Sequence, residues 1–232
     1  MIRILDKIPL EKRNMVAEVT VDMAGSMNLI AKKCFPKTEI VTDRFHVQKL
    51  ASEAVQEERI RLRWEVIELD NTAIQKARED GKTYKAELLD NGDTHKQLLA
   101  RSRYILFKPK TKWTKRQIER AEILFKRYPS IEKAYNLAQA LSHIFENNTN
   151  KDVARLKLAQ WYHKVEKSQF KSFNTISRSI QLHYIPILNY FNNRSTNASA
   201  ESFNAKIKEF RAQFRGVRDV KFFLYRLTKL FT

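Results

Sequence analysis

Glycine and proline are scarce in this sequence, and that scarcity constrains the fold more than any other feature. Only 4 Gly and 5 Pro occur in 232 residues, so few positions favour the turns that sheet-rich domains need. The long stretches between them are rich in Glu, Lys, Arg, Leu, Ala and Gln, which all favour helix. The composition therefore predicts a mainly α-helical chain.

Two short β-branched runs near the start are the exception. Residues 17–22 alternate with a period of two, residues 38–43 form the second run, and the runs end in Asp22 and Asp43. Residues 26–35 between them have the pattern of a short helix that ends before Pro36. The order strand, helix, strand predicts a parallel pair with a right-handed crossover.

The rest of the chain has helical patterns only. Because a parallel pair needs cover on both faces and neighbours at its edges, we expect further strands to come from outside this chain. The predicted helices after the second strand are 45–80, 83–107, 114–127, 130–147, 150–166, 169–190, 195–214 and 217–231.

The charge of the chain indicates a polyanionic partner. Lys and Arg number 44 against 26 Asp and Glu, a formal net charge of +18, so DNA, RNA and an anionic membrane surface remain open. No apolar run approaches the roughly 20 residues that span a bilayer, and the amino terminus has no signal-peptide pattern, so we expect a cytoplasmic protein. The single cysteine, Cys34, excludes an internal disulfide and is typical of a small core residue.

Asp22 and Asp43 are the first candidates for chemistry. Ligands gather beyond the carboxyl ends of parallel strands, where both residues are predicted to lie, and two acids there could hold a divalent metal ion. The alternative is that each aspartate only caps the helix that follows its strand. Both interpretations stay open for Asp43, whereas function is favoured for Asp22.

A second candidate pattern lies near the end of the chain. Polar residues recur there at three- and four-residue intervals, which places them along one face of a helix. Apolar residues recur at the same spacing on the opposite face, and such a pattern alone is more typical of a solvated surface helix. The polar set is Asn197, Glu201, Asn204, Lys208, Arg211 and Arg215, and the apolar set is Phe203, Ile207, Phe210 and Phe214.

The order of these motifs resembles the DDE transposases of bacterial insertion sequences, in particular the ISL-three group. The resemblance rests on Val-Asp-Met-Ala-Gly-Ser at 21–26, Phe-Pro at 35–36 and Asp-Arg-Phe-His-Val-Gln-Lys-Leu at 43–50. Asn-Ala-Ser-Ala-Glu-Ser-Phe-Asn-Ala-Lys-Ile-Lys at 197–208, followed by Arg211 and Gly216, completes it. Individually these segments are short, but their order, with a helical stretch between them, forms a pattern that extends over nearly the whole chain.

The resemblance implies an RNase-H-like catalytic core that is interrupted by a large all-helical insertion. The expected fold is mainly α with a small α/β part, in which the RNase-H-like portion is truncated to strand, helix and strand. Residues 1–50 would form a partial core, 51–190 the helical insertion, and 191–232 the catalytic helix and a closing helix. The gap of 201 − 43 = 158 residues between Asp43 and Glu201 suits this layout.

The resemblance also assigns roles to the candidate residues. Asp22 would be the second acid of the catalytic triad and Glu201 the third, both as metal ligands. Asp43 and His46 resemble the Asp-x-x-His element of several transposase groups and would support the site; the alternative for His46 is a packed histidine beside Phe45. Asn197 and Asn204, which flank Glu201, are further supporting residues.

The implied chemistry is metal-dependent DNA strand cleavage and joining at insertion-sequence ends. Two divalent ions, Mg²⁺ or Mn²⁺, held by about three carboxylates would serve the complete enzyme. Cations close to the catalytic helix would bind phosphates of the element ends and the target. These are Lys206, Lys208, Arg211, Arg215 and Arg218, and the basic run 108–116 is either a further DNA contact or a solvated loop.

The first aspartate of the triad has no counterpart here, since only Asp6 precedes Asp22 and its surroundings do not resemble a central strand. We therefore expect a carboxyl-terminal portion of a transposase that needs its amino-terminal part, forms a homo-oligomer when complete, and does not cleave DNA alone. The alternatives are a catalytically dead remnant acting as an inhibitor or regulator, and a helical nucleic-acid-binding protein with unrelated acids. The transposase site assignment predicts that Asp22 and Glu201 approach each other, and no membrane partner is expected.

Overall fold

The fold begins with a short helical segment that packs beside the predicted strand-helix-strand unit. The computed structural model describes residues 1–216 and 218–231, except for the side chain of Phe231. Helices α1 (Ile2–Leu5) and α2 (Leu10–Asn14) come first. Arg13 links them to the strand-helix-strand unit, because it pairs with Asp6 at 3.1 Å and donates to the Cys34 carbonyl oxygen at 2.8 Å. Asp6 thus lies at the end of a helix and not on a strand.

The strand-helix-strand prediction is confirmed. Strands β1 (Glu18–Val21) and β2 (Glu39–Thr42) form a two-stranded parallel sheet, with α3 (Gly25–Cys34) between them in the chain. The register pairs Val19 with Ile40 and Val21 with Thr42. Asp22 and Asp43, the next residue of each strand, therefore lie next to each other at the carboxyl edge of the sheet.

The helical part after the sheet accounts for most of the chain. It confirms most predicted helices to within a few residues, and the last of them was predicted to start at Val217, which lies outside the described residues. Its helices are α4 (Arg44–Glu79), α5 (His95–Arg101), α6 (Lys115–Arg127), α7 (Pro129–Asn147), α8 (Lys151–Ser168), α9 (Lys171–Leu182), α10 (Tyr184–Asn193), α11 (Ala198–Gln213) and α12 (Val220–Phe231), with a 3₁₀ turn at Lys110–Lys112 before α6.

The two faces of the sheet are covered by different elements. On one face Val21 and Ile40 pack with Ala31 of α3 in a small apolar cluster. The opposite face meets α10, where Asn192 donates to Glu39 at 3.0 Å and Asn193 donates to Glu18 at 3.0 Å. The sheet is therefore a layer between α3 and the helical body.

The two edges of the sheet differ. On the outer edge of β2, the Asn189 side chain donates to the Ile40 carbonyl oxygen at 3.1 Å, so α10 caps that edge. Because backbone groups alternate in direction along a parallel ladder, the N–H and C=O groups of Glu18 and Thr20 point away from β2. Within the described residues no strand pairs with this outer edge of β1.

Two predicted helices are wrong in extent. The predicted helix 83–107 is reduced to α5, because an Asn91-Gly92-Asp93 turn with Gly92 at φ +77° precedes it. Buried Asp93 binds Arg101 and Arg120 there, which fixes the turn against α6. The predicted helix 169–190 is split into α9 and α10 at 183, because Pro186 has no N–H to continue an α-helix and fits only the first turn of a new one.

One apolar core joins the helical body. It extends from Val41 of β2 through α4 to α10. Trp161 is its largest fully buried side chain, and its indole N–H donates to the Leu137 carbonyl oxygen at 2.9 Å, which satisfies the one polar group it buries. The division into 1–50, 51–190 and 191–232 stays a prediction. Both predicted boundaries fall inside helices, because α4 runs through residue 50 and α10 through residue 190.

A buried tyrosine in this core gives a testable pH dependence. Tyr135 is 0% exposed and burial raises its pKa to about 12, against roughly 10 in an unfolded chain. The folded state holds the Tyr135 proton more tightly than the unfolded chain does. This difference contributes about 3 kcal/mol to the free energy of unfolding below about pH 10, and the contribution is lost as the pH rises towards about 12. Urea unfolding at increasing pH measures the loss.

The replacement Tyr135→Phe is expected to flatten this alkaline decline. It should also lower stability at neutral pH by about 1 kcal/mol, because the hydroxyl donates to the Lys108 carbonyl oxygen at 2.8 Å. Tyr104→Phe is the control, since Tyr104 is 69% exposed. An equally steep alkaline decline in Tyr135→Phe would contradict the prediction.

Candidate active site

Asp22 lies one residue beyond β1 in a half-buried position. Its Oδ1 accepts a hydrogen bond from the Ala24 backbone N–H at 3.0 Å. The N-cap residue of α3 is Ala24, so Asp22 is not the cap of that helix. The prediction that Asp22 only caps α3 is therefore wrong. The second carboxylate oxygen of Asp22 has no hydrogen-bond partner within the described part of the chain.

Asp43 uses both carboxylate oxygens and is only 2% exposed. Oδ1 accepts from the Phe45 N–H at 2.8 Å, which caps α4. Oδ2 accepts from the Asn197 N–H at 2.7 Å, across 154 positions in the chain. The capping interpretation is thus confirmed for Asp43, and the same side chain also holds the start of α11 at the carboxyl edge of the sheet.

The position of Glu201 follows from the hydrogen bond between Asp43 and Asn197. Asn197 is the N-cap residue of α11, and the Glu201 N–H donates to the Asn197 carbonyl oxygen at 2.8 Å in the first turn of the helix. Glu201 and Asn204 are both exposed. Since one turn of helix rises about 5.4 Å, Glu201 begins its side chain roughly one turn away from the residue bound to Asp43.

His46 lies in the first turn of α4 and is half-buried. Its ring makes an edge contact with the ring of Phe45, at 5.8 Å between centroids, and Phe45 itself is 55% exposed. The contact with Phe45 agrees with the packed alternative. The position, three residues after Asp43, also keeps His46 near the carboxyl edge of the sheet.

The predicted cations lie around α11 and α12 at the end of the chain, which we call the α11–α12 pair: Lys206, Lys208 and Arg211 are on α11, Arg215 follows α11, and Arg218 precedes α12. Phe210 of α11 and Phe223 and Leu227 of α12 form a separate small apolar cluster. The guanidinium of Arg211 lies over the Phe223 ring at 4.9 Å. All five predicted DNA-binding side chains are exposed, namely Lys206, Lys208, Arg211, Arg215 and Arg218.

The polar face predicted for this helix is shorter than expected. Because α11 ends at Gln213, Arg215 belongs to the turn that follows and not to the helix face. Gly216 in that turn has φ +92°, a conformation that favours glycine. The apolar face is confirmed for Ile207, Phe210 and Phe214, while the Phe203 side chain is 45% exposed.

The asparagines of α10 are positioning residues that sequence reasoning missed. Asn189, Asn192 and Asn193 hold α10 against the sheet, on the two strands that precede the two acids. Their spacing of three and four residues places them on one helix face and could have been recognised as a polar stripe at the end of an apolar helix. Lys151 also donates to Asn189, at 2.8 Å.

The carboxylates of the candidate site can be compared with what a divalent metal ion needs. Carboxylate oxygens are the ligands that Mg²⁺ prefers, and Asp22 and Glu201 can supply them. Among residues 1–216 and 218–231, however, no three His, Cys, Asp or Glu side chains form a group that could hold a metal ion. The side chains of this described part therefore do not form a complete metal site by themselves.

Comparison with known proteins agrees with the order of motifs. Residues 1–227 match a protein family of DDE transposases, the ISL-three group, whose description is "Transposase". The chain belongs to this transposase family. It is 24% identical over 204 residues to the transposase for insertion sequence element IS1557 of two Mycobacterium tuberculosis strains, CDC 1551 / Oshkosh and ATCC 25618 / H37Rv. No solved structure matches the chain.

The family match confirms the predicted resemblance and leaves the whole protein's activity to be proposed. The aligned residues cover 88% of this chain but 45% of the Mycobacterium transposases. The chain thus spans about half the length of the curated relatives it matches. Within its described helices, none has the length and apolar content that a membrane crossing needs.

Proposed function

We propose that this transposase chain contributes part of a metal-dependent site for DNA strand cleavage and joining. In this proposal Asp22 and Glu201 are catalytic metal ligands. Asp43, His46, Asn197 and Asn204 support them, and the five cations of the α11–α12 pair contact DNA phosphates. The substrate is DNA at insertion-sequence ends, together with a target DNA.

One hydrogen bond carries the proposal. The 2.7 Å contact between the Asn197 N–H and Asp43 brings the start of α11 to the edge where both strands end. The parallel register already places Asp22 next to Asp43 at that edge. Glu201, one turn into α11, is then the acid of that helix nearest to Asp22.

The roles of the side chains differ in kind. Asp43 is buried, and each of its oxygens already accepts a hydrogen bond from a backbone N–H that fixes a neighbouring segment. We therefore assign it to positioning. One carboxylate oxygen of Asp22 has no hydrogen-bond partner among the described residues, and Glu201 is exposed at the start of a helix. We therefore assign these two side chains as metal ligands.

The metal would stabilise negative charge on the attacking and leaving oxygens of the phosphodiester. Mg²⁺ and Mn²⁺ are the proposed ions, because the donors are carboxylate oxygens. A complete site needs about three carboxylates. We propose that the third comes from a polypeptide segment that adds a strand to the outer edge of β1, which would extend the sheet into an RNase-H-like core.

The cations of the α11–α12 pair suit a phosphate backbone. Lys206, Lys208 and Arg211 are exposed on the helix that carries Glu201, and Arg215 and Arg218 come after it. Contacts of this kind give affinity that depends on salt and little on base sequence. DNA bound there would lie close to the proposed ligands.

The proximity of Asp22 and Glu201 can be tested without any activity. In the variant Asp22→Cys/Glu201→Cys, we expect a short bifunctional maleimide to cross-link the two thiols efficiently. The native Cys34 is 0% exposed and should not react. Cross-linking is measured by mass spectrometry of the peptide pair after digestion.

The matched control is Asp22→Cys/Glu209→Cys. Glu209 is exposed on the same helix but eight residues further along, a rise of about 12 Å. Equal yields for both pairs, or no cross-link to residue 201, would contradict the proposed site. The chain would then act on DNA through its cations alone, as a binding or regulatory protein.

A further inference from the structure

A second basic surface lies far along the chain from α11. Residues 94–118 contain no Asp or Glu. We define the basic loop as residues 103–116, which connect α5 to the start of α6 and include the 3₁₀ turn. Its cations are Arg103, Lys108, Lys110, Lys112, Lys115 and Arg116.

The cations of the basic loop are without acidic partners in the part of the chain that the structure describes. Among the residues that the structure describes, none of the six forms an ion pair with a carboxylate. All six are exposed. Their charge is therefore available to an external anion, whereas Arg101 and Arg120 nearby are already bound to Asp93.

The backbone of the basic loop is fixed although it is largely irregular. Trp113 donates to the Ile105 carbonyl oxygen at 3.0 Å, and Tyr135 donates to that of Lys108 at 2.8 Å. Ile105 and Leu106 are buried in the core. A loop with its carbonyl groups held and its apolar residues buried presents its cations in a defined arrangement, which lowers the entropic cost of binding.

Arginines of α4 lie beneath and beside the start of the loop: Arg59 is buried, whereas Arg63 is partly exposed. The Gln56 side chain donates to the Arg103 carbonyl oxygen at 3.1 Å, which places the start of the loop over α4. Burial lowers the pKa of Arg59 there, and the positive charges of Arg103 and Arg63 lower it further. The Nε of Arg63 is buried and has no hydrogen-bond partner among the described residues. Arg103 and Arg63 thus both lie within electrostatic range of Arg59, and Arg63 has a donor without a partner among the described residues.

Exposed aromatic side chains accompany these cations. Tyr104 is 69% exposed, with the Arg103 guanidinium over its ring at 5.5 Å, and Phe107 is 44% exposed. Cations interleaved with exposed aromatic rings are typical of surfaces that contact nucleic acids. Glu122 and Glu132 line a cleft beside Lys110, so Lys110 is the least suited of the loop cations to bind an anion.

We infer that the basic loop, together with Arg63, is a second DNA-binding surface that contacts the phosphate backbone of duplex DNA. This inference rests on the proposed function for the identity of the ligand. The surface itself consists of other residues than those of the α11–α12 pair. One chain would then contact DNA at two places. The second contact would position the duplex outside the proposed catalytic site.

Binding of the whole chain to a labelled duplex of arbitrary sequence tests this inference. The loop variant is Lys108→Gln/Lys112→Gln/Lys115→Gln. Since these side chains are exposed, the fold should persist, as circular dichroism can verify. We expect affinity to fall about 10- to 100-fold near 0.1 M salt, and the slope of log affinity against log salt to shrink by about 2 to 3.

Two further variants separate this inference from the proposed function. Lys164→Gln/Lys167→Gln/Lys171→Gln removes the same charge from another exposed surface and should change affinity less than about twofold. Lys206→Gln/Lys208→Gln/Arg211→Gln tests the α11 cations. Loss of binding in the loop variant but not in the α11 variant supports the second surface and counts against the proposed role of α11.

The opposite results overturn the inference. If the loop variant binds as the unaltered chain does, or loses no more affinity than the control on α8 and α9, the basic loop is a solvated surface segment. Should the loop variant prove unfolded, Arg63→Gln/Arg103→Gln is measured in its place. Unchanged binding by that folded double variant would equally exclude the surface.

Discussion

Replacing Glu201 with Gln is expected to reduce strand cleavage by the assembled transposase on the order of 10³-fold, about 4 kcal/mol in the barrier. Glutamine has nearly the same size and keeps one oxygen, but it loses the negative charge that a divalent cation requires. Asp22→Asn should have an effect of similar size for the same reason. Cleavage of labelled insertion-sequence ends in Mg²⁺ or Mn²⁺ is the measurement.

The control for this prediction is Glu209→Gln on the same helix. Glu209 is exposed as Glu201 is, so the charge change is equal while the position is two turns further from the sheet. It should leave cleavage within about twofold. Binding of the element ends should be retained in all three variants, since it depends on the cations. A Glu201→Gln transposase with unchanged cleavage would remove Glu201 from the catalytic residues.

Replacing Asp43 with Ala is expected to lower the free energy of unfolding by about 2–4 kcal/mol. Loss of the cap on α4 accounts for about 1–2 kcal/mol, and a half-buried Asn197 N–H without an acceptor for about 1–2 kcal/mol. In a chain of this size that corresponds to a fall of roughly 10 °C in Tm. Thermal unfolding measures the loss.

The Asn197 amide provides the specific readout for Asp43. Its hydrogen exchange should accelerate in Asp43→Ala, because the Asp43 carboxylate is the acceptor of this N–H. Asp22→Ala is the matched control, since that aspartate also follows a strand but accepts only a local bond from Ala24. It should cost less than about 1 kcal/mol. Equal destabilisation by both replacements would refute a tethering role for Asp43.

The local patterns of the sequence were sufficient to predict the sheet and most of the long helices. The β-branched runs and the short helix between them predicted the sheet, because side-chain alternation and the break at Pro36 are local signals. The same local signals located most of the long helices. They failed at 83–107 and at 169–190, where a turn around Gly92 and the missing N–H of Pro186 decide the ends of the helices.

The relations between distant residues could not be predicted in the same way. Sequence spacing indicated that Asp43 could be a cap or a site residue, and the structure shows that it caps α4 and also binds Asn197. The asparagines of α10 were missed because their partners are strand residues about 150 or more positions earlier. Such contacts depend on how the helical body returns the chain to the sheet.

The 154-residue separation between Asp43 and Asn197 has a consequence for folding. Contacts between residues close in sequence form first, and closure of a long loop is repaid only after the helices inside it have packed. The carboxylate edge of the sheet should therefore gain its α11 neighbour late in folding. A replacement deep in the helical body, such as at Trp161, could then delay or prevent assembly of the edge while leaving both acids and every cation unchanged.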